Sequence, residues 1–318
     1  MSGAARPLPR TIDGATVERV LDFPSLVEAL RTAFREGREV PPRHHHPVAQ
    51  PSGRDAMLLL MPAWSSGGAV GIKIVTFYPD NGARGLPTVL GTYLLLDGET
   101  GAPVAVIDGS MLTLRRTAAA SALAASYLAR ADAARMVMVG TGALAPNLVR
   151  AHAAVRPIRE VAVWGRDPAK AAAVAATLAD EGFRATVAHD LAAAVRAADL
   201  VSCATPANAP LVQGEWLAPG CHVDLVGGFT PAMRETDDAV VRRARIYVDT
   251  SEAVHEAGDL VQPIRAGVIA EGDIRGDLFG LTRGEVAGRG SADEITFFKS
   301  VGIALEDLAA AELVVARA

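Results

Sequence analysis

The sequence predicts an α/β protein, one part built on a parallel sheet and a smaller α+β part before it. Three observations carry this. From Arg135 onward, short apolar runs alternate with alanine-rich helical stretches, a rhythm that calls for a parallel sheet covered on both faces. Before about residue 113 the apolar runs are longer and are joined by turn signals. The chain has 318 residues, 50% of them hydrophobic, enough for one large or two modest cores.

The elements follow in order. "SLVEALRTAFREG" reads as an amphipathic helix opening at an N-cap Ser25 and ending at Gly37. Strand-like pieces come next: "AMLLLMPAW", "AVGIKIVTFYP" and "TVLGTYLLLDGETGAPVAVID", the last a hairpin around the turn signal "DGETG". The helix "TLRRTAAASALAASYLAR" is expected to join the two parts. Beyond it come the strands "RMVMVG", "EVAVWG", "RATVA", "DLVSCAT", "HVDLVGG" and "RIYVDT", with the helices "ALAPNLVRAHAAV", "PAKAAAVAATLADEG" and "DLAAAVRAA" between the first four. The tail "FFKSVGIALEDLAAAELVVARA" reads as a further helix, expected to return to the first part. The expected division is 1–113 with 302–318, and 114–301.

Composition excludes several function classes. Net charge is −5 and no basic cluster could track a phosphate backbone, so nucleic acid is not expected as a partner. With only Cys203 and Cys221, neither a disulfide framework nor a four-cysteine metal site is available. "MSGAARPLPRTIDG" lacks the charged start and apolar core of a signal peptide, and no apolar run approaches the ~18 residues of a membrane span. A soluble, cytoplasmic protein is expected, with no membrane partner.

"VMVGTGALA" places Gly140, Thr141, Gly142, Ala143 and Leu144 directly after a strand and at the start of a helix. The glycines permit a tight turn and close approach of a pyrophosphate to backbone N–H groups at the helix N-terminus. With a strand before, a helix after and a second strand on schedule, the pattern predicts a Rossmann-type dinucleotide-binding domain. The second strand ends at Gly165-Arg166, where an NAD-binding fold normally places an acid for the ribose 2′-OH. Loss of the acid removes repulsion of a 2′-phosphate, and a guanidinium can pair with that phosphate. NADPH is therefore expected, with NADH still possible; the competing reading gives the ribose to Asp167. Cys203, Ala204, Thr205, Val226 and Gly227 should lie along the cofactor at the sheet's carboxyl edge. Cys203 reads as a small buried filler rather than a nucleophile.

Candidate substrate residues are cationic. Lys73 in "GIKIVTFYP" looks buried whichever face it takes, and a buried ammonium needs an anion or loses its proton, unless it snorkels out at a sheet edge. Arg115 and Arg116 fall at or near the first turn of a helix, where cations oppose the dipole unless an anion is bound. Arg116 shares a face with Ala120, Leu123 and Tyr127 and is the expected binder, leaving Arg115 to solvent or cofactor. Arg43 is a third cation. His44 to His46 cannot all face one metal from a strand and read as loop residues; no metal is expected. These cations imply a carboxylate-bearing substrate held against a nicotinamide.

At these residues the chain resembles the ornithine cyclodeaminase/μ-crystallin family. The matching pieces include "GIKIVTFYPDN", "LPTVLGTYLLLDGETGAPVAVIDGSMLTLRRTAA", "VGTGALA", "REVAVWGRDPAKA", "LVGGFTPAMRE", "HEAGDL" and "FFKSVGIALEDL", in order through nearly the whole chain. The resemblance implies a homodimer with an N-terminal substrate-binding and dimerisation domain, a Rossmann domain and a C-terminal helix returning to the first. It implies carboxylate binding at Arg43, Lys73 and Arg116, and cofactor contacts at the 140–145 loop, Gly165-Arg166, Thr117 and the Ala204-Thr205 turn. It also places Ser300 near the nicotinamide, although that residue's own pattern reads only as a helix N-cap. Glu256 and Asp259 could close the pocket or form a solvated helix end.

Two departures matter. Ornithine cyclodeaminases carry an Asp where this chain has Phe229, and a Glu where it has Leu59. Without those acids a second amino group cannot be held or released by that route, and an aromatic wall suits a ring without a side-chain charge. "GGFTPAMRE" looks like the imine-reducing branch. The expected activity is NAD(P)H-dependent reduction of a cyclic ketimine carboxylate (Δ1-pyrroline-2-carboxylate or Δ1-piperideine-2-carboxylate) to L-proline or L-pipecolate, with Lys73 and Arg116 as the catalytic pair and Phe229 lining the pocket. The alternatives, in order, are an alanine-type amino-acid dehydrogenase, a non-catalytic NADPH-dependent ligand binder, and an ornithine cyclodeaminase.

Overall fold

The structure, a computed structural model, describes residues 8–51 and 53–318; part of the leader reading, residues 1–7, lies outside them. The chain divides into two units, 1–116 with 303–318, and 117–302.

The first unit is a six-stranded sheet with helices. Its elements are β1 (Arg10–Ile12), α1 (Gly14–Val20), α2 (Phe23–Glu36), β2 (His44–Val48), β3 (Ala56–Trp64), β4 (Val70–Phe77), β5 (Val89–Leu96), β6 (Pro103–Asp108) and the C-terminal helix Ala304–Arg317. Strand order is β1-β6-β5-β4-β3-β2, antiparallel throughout except for β1 beside β6. α2 begins two residues before Ser25 because Asp22 caps it, accepting from the Ser25 N–H at 2.9 Å. Its face of Leu26, Val27, Leu30, Ala33 and Phe34 is buried, and the C-terminal helix packs on α2 and across β3, β4 and β5. The histidines correct one expectation: His44 to His46 belong to the edge strand β2, paired with Leu60, Leu59 and Leu58, and alternation still turns neighbouring rings to opposite faces.

α3 (Gly109–Leu128) is one continuous helix through the division between the units. Asp108 accepts from the Met111 N–H at 2.7 Å, so the helix opens well before the arginines.

The second unit is an eight-stranded, fully parallel sheet. It contains β7 (Arg135–Val139), α4 (Leu144–Val155), β8 (Glu160–Trp164), α5 (Pro168–Asp180), β9 (Arg184–Val187), α6 (Leu191–Arg196), β10 (Leu200–Cys203), β11 (His222–Leu225), α7 (Asp238–Arg243), β12 (Ala244–Val248), α8 (Ala253–Glu256), α9 (Gly258–Arg265), β13 (Ile274–Asp277), α10 (Leu278–Arg283) and β14 (Ile295–Lys299). The order is β13-β12-β14-β11-β10-β7-β8-β9. Strands β10, β11 and β14 are buried at every position, as a sheet covered on both faces requires. Aspartates cap the short loops into helices: Asp167, Asp190, Asp237 and Asp277 each accept from a first-turn N–H of α5, α6, α7 and α10. The tail is not one helix. "ITFFK" is strand β14, because an unbroken apolar run looks alike in a buried strand and a buried helix. Among the described residues no helix is long and apolar enough to cross a membrane.

Inside this sheet lies a buried polar network. Ser202 Oγ donates to Asp224 Oδ2 at 2.6 Å, His152 Nε2 sits 3.1 Å from the same oxygen, and His222 Nδ1 lies 2.9 Å from Thr296 Oγ1. Burial pushes the His222 imidazole down to about 3, so it stays neutral and structural.

Candidate functional site

The glycine turn is built as its sequence implies. Gly140 has φ +128°, and a Cβ there would stand 2.6 Å from the Ala204 carbonyl oxygen; only glycine fits where the β7 and β10 ends meet. A Cβ on Gly142, in contrast, would meet nothing within 4 Å. α4 starts there with Ala143 at its N-cap and no side-chain cap among the described residues. The Ala145 N–H is met by the Gly142 carbonyl at 3.0 Å and Pro146 has none, so the N–H groups left for an anion on the open side of Gly142 are those of the turn itself, from Gly142 to Leu144. Thr141, Gly142, Ala143 and Leu144 fit a pyrophosphate on this ground.

At the end of β8, a Cβ on Gly165 would stand 2.6 Å from Thr141 Cγ2, so a larger residue there would have to displace the Thr141 side chain. Arg166 is exposed. Asp167 is engaged as the N-cap of α5, accepting from the Ala169 N–H at 3.0 Å, which weakens the reading that gave it the ribose.

The carboxyl ends of β10 and β11 are tied together. The Ala204 N–H donates to Val139 O and the Val226 N–H to Cys203 O, each at 2.9 Å. Thr205 donates to Glu235 Oε1 through its N–H (2.7 Å) and its hydroxyl (2.8 Å), while the Gly227 N–H donates to Glu235 Oε2 at 3.0 Å. Burial pushes the Cys203 thiol well up, with Glu235 and Asp259 adding to the effect, so it is a filler and no nucleophile. Phe229 remains 54% exposed just beyond this edge. Ser300 is not a helix N-cap: it follows β14 and donates to Asp249 Oδ2 at 3.1 Å, and that oxygen also accepts the Val301 and Gly302 N–H groups. Nor is Asp259 a solvated helix end. It is fully buried, accepting the Glu235 and Thr236 N–H groups at 2.9 and 3.0 Å. Glu256 closes α8, and Thr117 is buried in α3.

The cations of the first unit form a second cluster. Lys73 is 2% exposed, on the strand face that the C-terminal helix covers, and Nζ lies 2.7 Å from Asp307 Oδ2. Arg116 Nε donates to Asp307 Oδ1 at 3.0 Å and Nη1 to Glu306 Oε2 at 2.5 Å. The anion that Lys73 needs thus comes from the chain itself. Burial, with Arg116 beside it, lowers the lysine to about 8 despite the aspartate. Two expectations are corrected. Arg115 and Arg116 sit past the first turn of α3, so the dipole argument does not apply to them. Arg115 serves neither solvent nor cofactor: it is 6% exposed, its Nε donates to the Leu21 carbonyl at 3.0 Å, and its guanidinium lies 3.9 Å over the Phe23 ring. Arg43, half-buried, directly precedes β2. Leu59 pairs with Val75 two positions along from Lys73, on the same face.

Sequence reading missed Glu306, Asp307, Glu235, Lys299 and Asp249. Acids in the first turn of a helix suit its dipole and raise no suspicion. The one available signal was "ALEDLAAAEL", where two adjacent acids lie in a stretch apolar on every side.

A parallel sheet whose first strand ends in an uncapped glycine turn, joined to a separate sheet unit carrying buried cations, defines a dinucleotide-binding protein of two units. Residues 12–318 match the ornithine cyclodeaminase/mu-crystallin family, and the chain belongs to it. A Δ1-pyrroline-2-carboxylate reductase from Paracoccus denitrificans is 42% identical over 87% of this chain and 88% of its own. The structure of the Thermococcus litoralis Δ1-pyrroline-2-carboxylate reductase, in complex with NADH and L-proline, superposes with TM-score 0.91 at 33% identity, over 97% of each chain. An archaeal alanine dehydrogenase dimer with bound NAD follows at TM-score 0.89 and 30% identity, over 97% of this chain and 95% of that one.

Proposed function

We propose that the chain reduces a cyclic ketimine carboxylate, Δ1-pyrroline-2-carboxylate or its six-membered homologue, to the L-imino acid. It is an enzyme, an NAD(P)H-dependent imine reductase. Two residues, one in each unit, carry the substrate reading: exposed Phe229 follows the Gly227–Gly228 turn, and apolar Leu59 stands on the Lys73 face, at positions where a diamine substrate would need acids. The relatives named for pyrroline-2-carboxylate support the same reading.

Bound NAD(P)H supplies the hydride. The protein's part is recognition: Lys73, Arg116 and Arg43 orient the substrate carboxylate, and Phe229 lines its ring. A protonated imine is already electrophilic at C2, so these residues need to hold the ring in place and supply little acid chemistry. Orientation of this kind lowers barriers by several kcal/mol, up to ~7–11 in the best cases.

NADPH is the proposed cofactor, on Gly165, Arg166 and the engagement of Asp167 elsewhere, although the Thermococcus neighbour holds NADH. Thr117, Ala204, Thr205, Val226, Gly227 and Ser300 complete the proposed cofactor set. The protein is proposed to be cytoplasmic and a homodimer. Leu58, Leu60, Ile72, Ile74, Leu94 and Val106 share one half-buried face of the first sheet, opposite the face that carries the C-terminal helix, and a second copy would cover them.

The test is NAD(P)H oxidation with five- and six-membered cyclic imines, with pyruvate plus ammonium, and with ornithine. Turnover of the imines alone supports the proposal. Turnover only of pyruvate with ammonium would transfer the chain to the alanine dehydrogenase reading, which the second structural neighbour keeps open.

A further inference from the structure

The turns after β10 and β11 hang on one buried side chain that takes no part in the recognition described above. The Glu235 carboxylate is fully buried and receives Thr205 N–H and Oγ on one oxygen, and Gly227 N–H (3.0 Å) and Gly228 N–H (3.4 Å) on the other. The contact is close enough that a Cβ on Gly227 would stand 2.1 Å from Thr205 N. Behind the carboxylate, at the end of β14, fully buried Lys299 places Nζ 4.0 Å from Glu235 Oε2 and 3.6 Å from Asp259 Oδ2. Asp259 in turn receives the Glu235 N–H. A carboxylate this deep is retained against its desolvation cost only where it is fully hydrogen-bonded and paired. Burial pushes this acid up to about 7 even though Lys299 and the bonds from Thr205 favour the carboxylate, so what marks it out is its geometry: four donors from two turns converging on its two oxygens.

We propose that Glu235, braced by Lys299 and Asp259, is a positioning residue that locks the Thr205 turn to the Gly227–Gly228 turn and so shapes the surface that receives the nicotinamide half of the cofactor. The inference rests on the proposed dinucleotide reading of this sheet edge. It separates the edge into two functions. The glycine turn and Arg166 grip the adenosine and pyrophosphate. The Glu235 clamp acts chiefly on the nicotinamide end, since Gly227 and Gly228 lie on it and only Thr205 also reaches toward Gly140.

The experiment uses Glu235→Gln and Glu235→Asp in the full chain. Glutamine keeps the shape but presents an NH2 donor to one pair of donors; aspartate keeps both acceptors on a shorter arm. Affinities for NAD(P)H and for ADP-ribose, which lacks the nicotinamide, are measured by fluorescence and calorimetry, together with kcat and the isotope effect of 4-deuterated cofactor. For Glu235→Gln, NAD(P)H affinity and kcat should each fall on the order of 10- to 100-fold, the loss expected for charge-assisted hydrogen bonds. ADP-ribose affinity should stay within about twofold, the isotope effect should rise, and Glu235→Asp should lie between. Equal losses for both ligands, or a lower melting temperature with unchanged kinetics of the folded enzyme, would reduce Glu235 to a structural role and overturn the proposal. If the glutamine variant does not fold, the aspartate variant is judged by the same split. Failure of the wild-type chain to bind either ligand would refute the dinucleotide reading itself.

Discussion

The buried lysine of the first unit gives the sharpest physical test. Lys73 is held near 8, against an ordinary value of 10.5, first because burial strips its hydration and second because Arg116 repels it. Between those two values the unfolded chain binds a proton at this site that the folded chain has lost. Stability must therefore rise with pH from about 8 to 10.5, and the interval is worth about 3 kcal/mol. Urea denaturation of wild type and Lys73→Met, at pH values bracketing this window, isolates the contribution of Lys73 and its pairing with Asp307, since titrating groups elsewhere cancel in the difference. Wild type should gain that amount relative to the variant as pH rises. If Lys73 is one of the cations that orient the substrate carboxylate, as proposed, the ketimine KM should rise as pH passes 8, by up to about tenfold per pH unit. Parallel stability curves for the two proteins would refute the argument, because they would mean that the ammonium is not held at a cost.

Other outcomes follow from the same geometry. Arg115→Ala should cost about 2–4 kcal/mol in chemical denaturation, losing the stack on Phe23 and the bond to Leu21, while ketimine and cofactor KM values stay unchanged. Arg166→Ala should raise the NADPH KM on the order of 10- to 100-fold and leave NADH alone; equal effects on both would remove the 2′-phosphate from Arg166. Gly140→Ala, with φ +128° and Ala204 O at 2.6 Å, should destabilise by at least about 2 kcal/mol and abolish cofactor binding by calorimetry. Ile74→Asp should convert a dimer into a monomer in light scattering, and a wild-type monomer would end the dimer proposal.

Legibility in the sequence varied with the distance over which the physics acts. The glycine turn, the alternation of strands and helices and the hairpin around "DGETG" could be read because each depends on neighbours a few positions away. α2 was placed three residues late because Asp22, and not Ser25, is its N-cap. β14 was lost to a helix because an apolar run carries no period when both faces are buried. Arg115 was assigned outward because nothing local announces a carbonyl from Leu21 and a ring from Phe23 beneath a guanidinium.

The sequence by itself determined the parallel-sheet unit, the glycine turn after its first strand and the presence of a buried lysine in need of an anion. Only the tertiary structure decided which anion: Asp307 meets Lys73, and the same residue meets Arg116 from 191 positions away. Glu235, Asp259 and Lys299 likewise come together from three separate elements. Local periodicity and capping are encoded within a few residues. Charge pairing in a low-dielectric interior depends on which side chains the folded chain brings within a few ångströms, and no stretch of sequence contains that distance.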